Sequence, residues 1–162
     1  MSKYKWIIVI LNLIAVLAFF NYSVIKKEKT LSSGQLVLLE LAPVDPRSLM
    51  QGDYMQLDYA ISQDVTIINL PKRGYCVVKL DADGVGRRLR LQPELTPHEE
   101  GEYLIRYNAQ QYIGIRIGAE SYFFQEGNAT KYEKARYGGI RVDDKGHSVL
   151  VGLYDEACNL IE

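Results

Sequence analysis

The sequence has almost no surplus of either charge. Its 19 lysines and arginines stand against 20 acidic residues, a net charge of −1, which excludes a nucleic-acid binder held by neutralised phosphates and excludes a polyanionic tail. Cysteine is scarce as well: Cys76 and Cys158 are the only two and lie far apart. Without Cys-x-x-Cys spacing, zinc and thioredoxin-like readings have no basis. The pair leaves two options open, a disulfide or two separate thiols, and a buried small hydrophobe is the commoner fate. The only histidines are His98, in a Pro-containing loop, and His147, in a hairpin. Neither stands in a Cys/Glu pattern that would complete a metal site, so both read as surface residues. No Gly-x-x-x-x-Gly-Lys loop occurs. The sequence therefore predicts no metal and no cofactor.

One long apolar run is present. Trp6 to Ile25 reads Trp-Ile-Ile-Val-Ile-Leu-Asn-Leu-Ile-Ala-Val-Leu-Ala-Phe-Phe-Asn-Tyr-Ser-Val-Ile. At about 20 residues and ~1.5 Å each it covers the ~30 Å hydrocarbon layer. Trp6 and Tyr22 fall near its ends, and Lys3, Lys5, Lys26, Lys27 and Lys29 bracket it, as interfacial rings and cations do. A cleaved signal peptide needs a small-x-small exit, whereas Val16 and Leu17 separate Ala15 from Ala18 and Phe-Phe-Asn-Tyr follows. The run is thus expected to lie in the lipid bilayer as an anchor over residues 1–25, with a polar tether over 26–35 and a domain over 36–162. Charge does not orient the anchor, because the cations on its two flanks nearly balance.

The remainder reads as one domain rich in strands. Twelve tyrosines against four phenylalanines suit half-buried strand faces. Leu36–Leu41 is an apolar strand that stops at Pro43 and Pro46. Near Tyr54–Ala60 a strand alternates: Tyr54, Gln56 and Asp58 point to a wet face, Met55, Leu57 and Tyr59 to a dry one. Three hairpins are expected: Tyr75–Leu80 with Val85–Leu91 around Asp81-Ala82-Asp83-Gly84, Glu102–Tyr107 with Tyr112–Ile117 around Asn108–Gln111, and Ile140–Val142 with Ser148–Tyr154 around Asp143–Gly146. Asn128–Tyr137 reads as one short helix capped by Asn128. The predicted class is mostly β: an N-terminal transmembrane helix, then an antiparallel barrel- or sandwich-like domain.

Two groups of residues stand out. Gly52-Asp53 before the alternating strand reads as a turn, with Gly supplying an unusual backbone angle and Asp bonding a nearby amide. The functional alternative makes Asp53 an acid, base or ligand with Tyr54 or Asp58 beside it. Around the short helix, Glu120, Phe124, Glu126, Tyr132, Glu133 and Arg136 form a second cluster. There a Glu133–Arg136 pair is ordinarily helix-surface electrostatics.

Pro43-Val44-Asp45-Pro46-Arg47-Ser48-Leu49-Met50-Gln51-Gly52-Asp53-Tyr54-Met55-Gln56-Leu57-Asp58-Tyr59 resembles the signature of the bacterial GDYXXLXY family of membrane-anchored proteins. Glu120–Gly127, Tyr132-Glu133, Ala135-Arg136-Tyr137 and Val142–Gly146 running into Val149–Leu153 resemble it too. The resemblance implies a location and a partner rather than a reaction. It places the chain in the bacterial inner membrane, domain on the periplasmic side, beside a multi-spanning membrane protein. A lesser similarity links Pro46–Asp53 to the Pro-Thr-Leu-x-x-Gly-Asp stretch of membrane-anchored signal peptidases, but no serine precedes Pro46 and only Ser48 offers itself as nucleophile. The expected function is a non-enzymatic docking module. The rivals are a tethered hydrolase and a domain binding a small ligand or envelope polymer.

Overall fold

The computed structural model describes residues 3–42, 54–63, 65, 70–110, 114–125, 127 and 129–161. Helix α1 runs unbroken over Lys3–Ser33, a rod of about 46 Å at ~1.5 Å per residue. It is long and apolar enough to cross a membrane, and its most apolar window is 0% buried. Of the segment read as a tether, Lys26–Ser33 is the last two turns of this helix, and Gln35 already begins the first strand. It folds that way because Lys26–Ser33 contains neither Gly nor Pro and meets the domain: Thr30 is 3% exposed, and a Cβ at Gly34 would come within 2.5 Å of the Thr30 carbonyl oxygen. The helix therefore passes directly into the first strand.

The strands are β1 (Gln35–Glu40), β2 (Tyr54–Gln56), β3 (Arg73–Leu80), β4 (Gly86–Gln92), β5 (Glu102–Gln110), β6 (Gly114–Arg116), β7 (Ser121–Phe123), β8 (Tyr137–Val142) and β9 (Ser148–Tyr154), with a short helix α2 at Ala129–Tyr132. They form antiparallel sheets in the orders β1-β8-β9, β2-β7 and β4-β3-β5-β6, including a half-barrel. A parallel bridge between Leu38 and Val85 joins the first sheet to the third. Val37 and Leu39 of β1, Cys76 and Val78 of β3, Ile105 and Tyr107 of β5, and Ile140 and Val142 of β8 meet in one core. Leu38 and Val77, on the opposite faces of their strands, are also buried. Two covered faces explain why β1 reads as a continuous apolar run without alternation.

Two of the expected hairpins form where the sequence puts them. In the β3–β4 turn Asp81 Oδ1 accepts the amides of Asp83 and Val85 at 3.1 and 2.9 Å. In the β8–β9 turn Asp143 Oδ1 accepts those of Lys145 and His147 at 2.9 and 2.8 Å. Asp takes both turns through the same local bond, and Gly84 and Gly146 supply φ values of 79° and 77°.

The expected turn at Asn108–Gln111 does not begin at Asn108. β5 stays paired through Asn108↔Arg73 on one side and Gln110↔Gly114 on the other, so Asn108–Gln110 belong to the ladder. The helix is shorter than expected, because β1 recruits its C-terminal end: Tyr137 pairs with Glu40. Its Asn128 cap lies outside the described residues. Both cysteines are free. Burial pushes the Cys76 thiol up to about 12.

Candidate functional site

The strand after Gly52-Asp53 is built from its dry face. Met55, Leu57 and Tyr59 are 2%, 1% and 1% exposed, matching the alternation. β2 pairs antiparallel with β7 through Tyr54↔Phe123, Met55↔Tyr122 and Gln56↔Ser121. Beyond the ladder the Leu57 amide donates to the Glu120 carbonyl at 2.8 Å, the Ala42 amide to the Asp58 carbonyl at 2.7 Å, and Tyr59 bridges Leu41. Tyr59 is the keystone of this segment. A Cβ at Gly138 would come within 2.8 Å of its ring, so glycine is what lets β8 approach. Its hydroxyl donates to the Ala119 carbonyl at 2.6 Å. Burial, and behind it the Glu120 carboxylate, push this phenol far above its ordinary range, which keeps it a neutral donor.

The opposite face reaches solvent. Gln56 is exposed and Asp58 half-buried. With the Gln56 amide oriented to satisfy its neighbours, its oxygen faces the Arg116 guanidinium and accepts from Nη1 and Nη2 at 3.2 and 3.1 Å. Phe123, across the ladder from Tyr54, is 74% exposed. Gly52, Asp53 and Ser48 lie outside the described residues, and Tyr54 is placed here by its backbone alone.

The second cluster divides into parts. Phe124 and Tyr132 join Tyr122 in an aromatic knot, with ring centroids 5.1 Å apart for Tyr122–Tyr132 and 5.3 Å for Phe124–Tyr132, packed on the core. Burial, followed by a hydrogen bond with Tyr132, pushes the Tyr122 phenol up to about 12. Glu120 Oε1 accepts the amides of Ile117 and Gly118 at 2.5 and 3.2 Å, closing a bend in which Gly118 takes φ 80°. Arg136 pairs with Glu40 at 2.9 Å rather than with Glu133, because it lies beyond the short helix, where its own carbonyl accepts from the Leu41 amide. Glu133 is exposed, and Glu126 lies outside the described residues. Among the described residues no three His, Cys, Asp or Glu side chains come together as a metal site.

His147 is the residue that local sequence reading missed. Its Nδ1 lies 2.8 Å from Asp143 Oδ2 and its Nε2 lies 2.9 Å from Lys26 Nζ. With Nδ1–H facing the carboxylate, Nε2 is the side that faces the Lys26 ammonium. Partial burial pulls the Asp143 carboxyl up, but the bonds from His147 and the Lys145 amide outweigh it and hold it below the ordinary range. The Asp143-x-x-x-His147 spacing is visible in the sequence. The contact with Lys26, across 121 positions, is not.

These features define a class: a β-rich domain carried on one N-terminal helix fit to cross a membrane, with the Met55–Tyr59 segment closing its core. The model of the GDYXXLXY protein family matches residues 16–153, most of the chain, and the chain belongs to that family. Neither the curated proteins nor the solved structures offer a match.

Proposed function

We propose that this chain is a non-enzymatic module of the bacterial inner membrane, single-pass, with its domain in the periplasm, that docks on or helps assemble a multi-spanning membrane protein. The observation that carries this reading is the solvent face of β2–β7. Phe123 stands 74% exposed on it, opposite Tyr54 and beside the Gln56–Arg116 pair. Aromatic and Arg side chains of this kind are what interface centres are enriched in. The unbroken α1 supports it further, since a domain that continues its own anchor is presented at a set height above the bilayer.

Crosslinking in native membranes followed by mass spectrometry is expected to recover one multi-spanning protein reproducibly. Recovery of only abundant bystanders would count against docking. A reporter active only in the periplasm, fused after Glu162, is expected to be active, and a silent, well-expressed fusion would reverse the orientation. The rival hydrolase reading predicts instead that Ser48→Ala or Asp53→Ala abolishes a cellular phenotype at unchanged abundance.

A further inference from the structure

A cleft of about 300 Å³ lies between the last turns of α1 and the domain, at the small end of the ~300–1,000 Å³ that ligand sites occupy. Lys26 and Lys27 line it from the helix, Arg106 and His147 from the domain, and Ile117 and Val149 give it an apolar floor. Among the described residues no carboxylate lines it; Asp143 stands behind His147, bound to its Nδ1 at 2.8 Å. Among the described residues, no ion pair is formed by Lys27 or Arg106. Arg106 is held in place by donating from Nε to the Lys145 carbonyl at 2.9 Å and by resting over the Tyr75 ring at 5.7 Å. That leaves its two terminal nitrogens for a planar, two-point grip on an oxyanion.

The height of the cleft identifies the anion. The apolar run ends at Ile25, so Lys26 and Lys27 lie within about 3 Å along the axis beyond it, at the depth of lipid headgroups. Ser23, inside the run, also lines the cleft, so the cleft reaches down the helix to the level of the apolar run. We propose that this cleft binds the phosphate of an anionic phospholipid headgroup, gripped between two helix lysines and an arginine brought from β5. A juxtamembrane run of lysines would attract any anionic surface without a pocket. Arg106, 80 positions from Lys26 in the numbering, makes this a folded site.

The test is native mass spectrometry of the full chain in detergent, titrated with phosphatidylglycerol or with phosphatidylcholine. Phosphatidylglycerol is expected to be retained in preference. Arg106→Gln and Lys27→Gln should each weaken it by about fivefold, the effect of one cation near a membrane surface. Lys29→Gln, two residues further from the apolar run than Lys27 and outside this cleft, should change it less than about twofold, as an exposed unpaired charge does. Lys27 is exposed on the helix, so its loss tests the site without threatening the fold. Equal retention of the two lipids, equal effects of Lys29→Gln and Arg106→Gln, or blocking of the cleft by inorganic phosphate at matched concentration would overturn the assignment.

Discussion

Along Met55–Tyr59 one short segment has two faces with different fates. Met55, Leu57 and Tyr59 are at most 2% exposed and lock β7 and β8 onto the core, whereas Gln56 and Asp58 reach solvent. The two kinds of position should therefore fail differently. Changes on the dry face should cost fold stability, and changes on the wet face should cost only what the surface binds.

The largest effect is expected from Tyr59→Ala, which removes a fully buried ring; a loss of about 3–5 kcal/mol is typical of such truncations and should show in denaturant unfolding of the purified chain. Gly138→Ala pushes a methyl group into the same ring, and the overpacking should cost about 1–3 kcal/mol. Tyr59→Phe keeps the ring but strips the Ala119 carbonyl of its donor, for about 1–3 kcal/mol. Tyr107→Phe is the matching control. Its hydroxyl is buried with no hydrogen-bond partner among the described residues, so its removal should be neutral or mildly stabilising.

Acid should spare the dry face, which carries no group that titrates there, and act elsewhere. The hydrogen bond from Arg90, and behind it the Glu99 amide, hold the Glu102 carboxyl down at about 2. A carboxyl depressed in the folded state adds stability above its unfolded pKa, and that stability is lost as pH falls through the folded value. Melting temperature should thus fall as pH drops from the ordinary carboxylate range toward about 2, with Asp143 contributing in the same direction. Glu102→Gln should flatten that limb. The smallest effect on stability is expected from Gln56→Ala, within about 0.5 kcal/mol in the same unfolding assay.

Local chemistry made much of this legible. Period-2 alternation marked Met55, Leu57 and Tyr59, and an Asp with a Gly three residues later, Asp81 with Gly84 and Asp143 with Gly146, marked the β3–β4 and β8–β9 turns. What escaped depended on distant chain. β1 claims Tyr137 and shortens the helix, the ladder with β3 carries β5 past Asn108, and Glu40 takes Arg136 from Glu133. Lys26 lies in a segment that reads as a linker, yet it reaches His147 because α1 continues to Ser33 and packs on the β8–β9 hairpin. None of these partners is within one turn or one hairpin of the residue it captures.

The most direct test of the division between the faces is a photoreactive side chain at position 123 in the full chain, compared with one at Leu89 on β4, both irradiated in native membranes. Position 123 is expected to capture one multi-spanning membrane protein that position 89 does not, and Gln56→Arg is expected to abolish the adduct while the melting temperature stays unchanged. Identical adducts from the two positions, or an adduct at 123 indifferent to Gln56→Arg, would contradict that division.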